Sequence, residues 1–191
     1  MVLDQFAGGG TTLVEAELLN RDIIGVDVND IALERCREKV SFEHEGATGK
    51  VYIRKGDARN LDFIQNESID LICTHPPYAD IIHYSEDIAE DLSLLKIRDF
   101  LKEMEKVASE SYRVLKKGKF CAVLMGDTRK NGCMIPMSFD VMKIFQDAGF
   151  TLKELIIKEK HNCKATGYWK TNSVKYNFLL IAHEYLIIFK K

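Results

Sequence analysis

Disulfides, zinc fingers and membrane spans have little to build on in this sequence. Its five cysteines, Cys36, Cys73, Cys121, Cys133 and Cys163, are odd in number and form no Cys-x-x-Cys pair. They read as reduced thiols, with Cys73 and Cys121 set in apolar strands as small hydrophobes. No charged-then-apolar leader opens the chain, and no apolar run approaches the length that spans a bilayer. The expectation is a soluble, cytoplasmic protein without a membrane partner. Neither sign of charge dominates: 27 Lys and Arg stand against 29 Asp and Glu, a net charge of -2. That balance neither requires nor excludes a polyanionic partner, because a basic face can be local. There is no internal repeat, low-complexity tract or linker that would divide the chain. With 191 residues it reads as one domain, large enough to bury a core without metal or disulfide support.

What is present alternates. Val2–Phe6 is a short apolar strand broken by Gly8-Gly9-Gly10, and Thr11 to about Asn20 has helical spacing. Asp22–Val28 reads as a buried strand, and Asn29 or Asp30 caps a helix running to about Phe42. Val51–Lys55 and Ser68–Cys73 are further strands, the latter ending at Pro76-Pro77. Glu86 to about Leu115 is expected to be mostly helical, with a break near Ser93–Ile97. A basic turn, Lys116–Lys119, leads into the strand Phe120–Met125, and the helix Met137–Ala148 stops at Gly149. Phe150–Lys160 and Tyr176–Lys190 read as two long final strands joined by a polar stretch without a helix. The predicted fold is α/β: Rossmann-like, doubly wound, a mostly parallel seven-stranded sheet with a carboxyl-terminal antiparallel hairpin at one edge.

Two strings carry chemistry. The first is the glycine turn between strand and helix, where no Cβ blocks the backbone from a ligand and helix N–H groups suit a carboxylate or phosphate. Asp27 ends the second strand, where an acid can accept ribose hydroxyls. Asp57 ends the third, on the same sheet edge, where it can accept from an adenine amino group. A dinucleotide fingerprint would need a glycine where Leu13 stands. The string Phe6-Ala7-Gly8-Gly9-Gly10-Thr11 instead resembles the first motif, DPFxGxGT, of S-adenosylmethionine-dependent methyltransferases acting on exocyclic amines of nucleic-acid bases. Asp4, Phe6, Gly8, Gly10 and Thr11 match it, and Gln5 replaces the proline. The resemblance implies that Gly8, Gly10, Thr11 and Thr12 hold the methionine part of the cofactor, with Asp27 on the ribose and Asp57 near the adenine.

The second string is Thr74-His75-Pro76-Pro77-Tyr78. An aromatic amine is a poor nucleophile because its lone pair is delocalised into the ring. Two acceptors on its N–H bonds localise that pair for attack on a methyl group, which is stabilisation aimed at the transition state. Two prolines fix a backbone carbonyl, that of Pro76, as one acceptor. The residue before them supplies the other, and Tyr78 offers a face for the base. The string resembles the [Asp/Asn/Ser]-Pro-Pro-aromatic loop of amino-methyltransferases, and THPPYAD is nearest the TSPPYxD strings of cytosine-type members. His75 departs from the pattern. A neutral imidazole has one acceptor nitrogen and a protonated one has none, so His75 either adds a pH dependence or ends catalysis.

Other features are less specific. His83, Tyr84 and Ser85 either shape the substrate mouth or form a loop junction, and His44 and His161 are expected to be exposed. His183-Glu184 lacks a second histidine at helical spacing, so no metal is expected. His183–Ile187 also resembles last-strand HEYxL strings of DNA amino-methyltransferases. Lys164, Trp169 and Lys170 lie in a basic, aromatic stretch that suits either nucleic acid or a solvated loop. Together the resemblances imply the catalytic core of a DNA amino-methyltransferase, cytosine N4 ahead of adenine N6. RNA base methylation, glutamine-amide methylation and an inactive methyltransferase-like subunit remain open. No target-recognition domain is evident, and only Met1 precedes the first strand. Further elements, or a partner chain supplying recognition, are therefore expected elsewhere.

Overall fold

The computed structural model describes residues 1–41, 46, 48–79, 84–85, 87–161 and 166–191. In chain order the elements begin with β1 (Val2–Asp4), α1 (Thr11–Leu18), β2 (Ile23–Asp27), α2 (Asp30–Lys39), β3 (Val51–Lys55) and β4 (Ile69–Thr74). A short 3-10 turn, Leu92–Leu94, precedes α3 (Ile97–Val114) and β5 (Leu115–Met125). There follow β6 (Thr128–Lys130), β7 (Cys133–Ile135), α4 (Met137–Asp147), β8 (Thr151–Glu159), α5 (Thr166–Lys175) and β9 (His183–Lys190).

Seven strands form one sheet in the order β3-β2-β1-β4-β5-β9-β8, with β6 and β7 paired separately. The strands from β3 to β5 are parallel, and β9 is antiparallel to both β5 and β8. The strand order reverses between β1 and β4, and in such sheets the crevice at the reversal, beyond the carboxyl ends of the strands, takes the ligand. Because β9 runs backwards, its first residues and the last residues of β8 lie at that same edge: Met125 pairs with Tyr185, and Glu159 with His183.

Local chemistry accounts for the frame. Asn29 caps α2 by accepting the Ile31 N–H at 2.9 Å. Phe100, Met104, Val107, Ala108, Ser111 and Val114 are the buried residues of α3, a helical stripe laid on the sheet. On the same core, Phe145 of α4 stacks on Phe189 of β9 with ring centroids 5.0 Å apart. The opposite face is covered by α1 and α2. There Gly25 of β2 takes the place a third glycine of the turn would serve: a Cβ on Gly25 would lie 2.8 Å from both Leu13 methyl carbons. Leu13 therefore fits because the strand, not the helix, supplies the missing side chain.

Some expectations need correction. The last two strands are not joined without a helix, since α5 lies between them, and the final strand begins at His183 rather than Tyr176. Residues 87–91 are not helical, and the long helix starts at Ile97. The β6–β7 hairpin was not anticipated; its turn residues Asn131 and Gly132 both have positive φ, 52° and 78°, as a two-residue hairpin turn demands. His44, His83, Cys163, Lys164 and the expected helix end at Phe42 lie outside the described residues.

Candidate functional site

One cavity of about 460 Å³ opens at the carboxyl edge of the sheet, and both chemistry-bearing strings line it. From the first string come Asp4, Phe6, Gly8, Thr11 and Thr12; from the second, His75, Pro76 and Pro77. Asp27 and Asp57 add carboxylates from β2 and the end of β3, and Glu90 and Asp91 line the cavity as well. The size falls within the roughly 300–1,000 Å³ usual for small-molecule sites. The two strings meet because β1 pairs directly with β4, which lets the Thr74 hydroxyl donate to Asp4 Oδ1 at 2.9 Å.

The glycine turn is tightly determined. Gly10 caps α1 with φ 77° and no side-chain acceptor, so among the described residues no N-cap side chain takes up the first-turn N–H groups. A Cβ on Gly10 would stand 3.1 Å from Cys36 Cα and Sγ. Gly10 does not line the cavity but sets the path of the turn behind it. Asp27 ties the turn to β2, its Oδ2 accepting the Gly8 N–H at 2.8 Å and its Oδ1 the Asn29 N–H at 2.9 Å. Burial pushes its pKa up, and those bonds pull it back. Asp4 is also raised, by burial first, with Thr12, Thr74 and the Phe6 N–H opposing.

Asp57 reaches the cavity wall, but Arg59 holds it. Arg59 Nε lies 2.9 Å from both carboxylate oxygens and Nη2 lies 2.6 Å from Oδ2, while Nη1 reaches Glu103 at 2.7 Å. Gln5, the motif's missing proline, is buried, and its Oε1 lies 2.9 Å from the Ser111 hydroxyl on α3.

Tyr78 is half-buried behind the proline pair and outside the cavity lining. Its hydroxyl lies 2.8 Å from Glu184 Oε1 and 3.0 Å from His75 Nε2. Solvent still reaches His75, while surrounding protein lowers its pKa below 6.5; Glu184 pushes it up, and Lys158 and Lys160 push it down. Trp169 and Lys170 sit exposed on α5, outside the cavity lining. Tyr84 lines the mouth, and the Ser85 hydroxyl donates to Asp91 at 2.7 Å. Sequence reasoning missed Asp91, Arg35, Glu90 and Glu184; the only local signal among them was the His183-Glu184 pair.

Comparisons with known proteins bear on the family and the fold. The family profile described as DNA methylase matches residues 69–191, and the one described as methyltransferase domain matches residues 2–118. The chain is 36% identical over 100 residues to the tRNA (guanine(10)-N2)-dimethyltransferase of Methanothermobacter thermautotrophicus, covering 52% of this chain and 27% of that protein. It is 28% identical over 165 residues to the type II methyltransferase M.MjaI of Methanocaldococcus jannaschii, covering 71% of this chain and 54% of the relative. The chain thus spans about half the length of one curated relative and about a quarter of the other. A solved SAM-dependent methyltransferase of Methanosarcina mazei shares the fold, with a TM-score of 0.69 over 100% of this chain and 91% of its own, at 15% identity. Since the first profile covers well over half of the sequence, from β4 to the last strand, the chain belongs to the DNA methylase family.

Proposed function

We propose that this chain binds S-adenosylmethionine in the β1–β4 cavity and transfers its methyl group to an exocyclic amino group of a DNA base, cytosine N4 ahead of adenine N6. The observation that carries this reading is the convergence of the glycine turn and the His75-Pro76-Pro77 corner on one cavity. The residues present fit the cofactor. The glycine turn leaves open backbone, the N-cap Gly10 offers no side chain to the α1 amino end, and two carboxylates, buried Asp4 and half-buried Asp27, suit a cationic amine and ribose hydroxyls. Gly8, Thr11 and Thr12 would hold the methionine part. Asp57 and Ala58 would wall the adenine, with Arg59 fixing the Asp57 carboxylate.

The cofactor supplies an electrophilic methyl on a sulfonium. The chain's own residues prepare the nucleophile: the Pro76 carbonyl and a His75 ring nitrogen accept the two amine N–H bonds, which localises the lone pair for attack. Transfer to that nitrogen would leave the electrons of the broken sulfur–carbon bond on the cofactor's sulfur. The methylated nitrogen then gives up a proton. Trp169 and Lys170, exposed on α5, would offer stacking and phosphate contacts for the substrate.

The test is methyl transfer from isotope-labelled cofactor onto DNA, RNA and protein pools in parallel, followed by nucleoside analysis. Label on cytosine N4 in DNA is the expected result. The likeness to a tRNA guanine methyltransferase favours a second reading, methylation of guanine N2 in RNA. Label there, and not in DNA, would replace the first reading. Cofactor binding without any transfer would instead make the chain an inactive subunit.

A further inference from the structure

Glu184 is buried at the start of β9 and has no part in the chemistry above. It pairs with Lys158 across the β8–β9 ladder, and the two-residue period of a strand puts Lys160 on the same face. Lys158 Nζ lies 3.0 Å from Glu184 Oε2, and Lys160 Nζ lies 2.8 Å from Oε1. Burial alone would raise this carboxyl, but hydrogen bonds from Lys160, Lys158 and Tyr78 outweigh it and hold the pKa at about 2. Glu184 is therefore a carboxylate at neutral pH and can only accept hydrogen bonds.

That fixes the next proton. Tyr78 Oη, 2.8 Å from Oε1, must donate its single hydrogen to Glu184. Burial first, and this bond second, raise the phenol pKa, so the proton stays on oxygen. His75 Nε2 stands 3.0 Å from the same phenol oxygen, which has no further hydrogen to give. The hydrogen between them therefore belongs to Nε2, and in a neutral imidazole Nδ1 is then bare.

We propose that the Lys158–Glu184–Lys160 cluster, acting through Tyr78, locks His75 as the Nε2–H tautomer and so presents Nδ1 as the acceptor for the substrate amine. The catalytic part of this rests on the amine-methylation reading, whereas the tautomer belongs to the free protein. Glu184 is a positioning residue. It explains how histidine serves where an aspartate, asparagine or serine is usual: the acceptor is set by a relay rather than by the side chain's own chemistry. After the nitrogen–methyl bond forms, Nδ1 is placed to take the released proton. The resulting imidazolium keeps its Nε2–H on the phenol, whose hydrogen still faces Glu184. Gly126 leaves room for the relay, because a Cβ there would stand 2.9 Å from Tyr78 Oη.

The test uses the full chain labelled with ¹⁵N-histidine and no ligand, with His75 assigned by comparison with His75→Asn. Long-range nitrogen–proton spectra near neutral pH should show His75 protonated at Nε2 and bare at Nδ1. Tyr78→Phe should produce a mixture of tautomers, and Gly126→Ala, which crowds the phenol, should do the same. In both variants kcat should fall by about twofold, in step with the lost share of the Nε2–H form, with cofactor Kd and substrate KM little changed. A wild-type ring protonated at Nδ1, or an unaltered tautomer in Tyr78→Phe, overturns the proposal. Because the spectra need no turnover, a chain that transfers no methyl would defeat the functional reading and leave the tautomer assignment decided on its own.

Discussion

At His75 the structure turns a sequence question into a pH prediction. Burial is the largest influence on the ring and lowers its pKa; Glu184 opposes, and Lys158 and Lys160 add to the lowering. Tyr78 bonds the ring, and Asp4 and Asp27 share its cavity. On the proposed role of His75 as a neutral acceptor, activity should persist through pH 6.5 and fall only below it. A kcat/KM profile from about pH 5 to about pH 8 should show that acid limb, and His75→Asn, which keeps a neutral acceptor, should flatten it. A limb centred above pH 6.5, or one that survives in His75→Asn, contradicts the assignment. Stability follows the same sign. The unfolded chain takes up protons first, so this contribution is complete above about pH 6.5 and erodes as the pH falls from there. Glu184 is the opposite kind of group, with a depressed folded pKa. Its stabilisation is present above about pH 4.5 and is lost toward pH 2, so Glu184→Gln should weaken the acid dependence of thermal unfolding in that window. Asp4, Asp27 and the proline corner were legible because each sits in a short local string. Glu184 was not, because its partner Tyr78 is 106 residues away and only the sheet joins them. The Arg59 clasp on Asp57 was two residues away in the sequence and still unread, because acid and base so close in a loop equally describe two solvated charges.

Among the elements, the contact between α1 and β2 decides where the glycine turn lies. Leu13 is wholly buried against Gly25, with no room for a methyl group between them. Gly25→Ala should cost about 1–3 kcal/mol by overpacking, and Leu13→Ala about 2–5 kcal/mol by leaving a cavity. The double variant should recover part of the sum, because the added methyl fills the vacated space. Urea unfolding of the four proteins measures this, and strict additivity within about 0.5 kcal/mol would show that the two do not meet. The parallel strands and α1 to α4 were readable because their apolar periodicity matches what they bury. α5 was not. Tyr168, Trp169 and Val174 are all exposed on it, so no core-facing stripe marks the helix. The apolar run near Leu179 misled for the converse reason: Leu179 is 87% exposed and joins no strand. The β6–β7 hairpin carried a readable Asn131-Gly132 signal, but its flanking strands span only three residues each.

For the whole molecule, the sheet gathers distant segments at one edge: the glycine turn, the proline corner, the end of β8 and the start of β9. With a net charge of -2, attraction for a polyanion must be local to such a surface. Reversing Lys170 and Lys175 to Glu should weaken DNA binding and lower the salt slope by about two phosphate contacts, measured by titration across salt concentrations. Unchanged affinity and slope would remove α5 from the substrate path. The fold class was legible from strand and helix alternation alone, whereas the shared edge of β4, β8 and β9 required the strand order. Everything functional depends on the cofactor lying between β1 and β4 with its methyl group toward His75. A crystal structure of the complex with S-adenosylmethionine tests this most directly. The methionine part should lie against Gly8–Thr12, the ribose at Asp27, and the methyl should face the His75-Pro76 corner. A cofactor seated elsewhere, or with its methyl turned away from that corner, would contradict it.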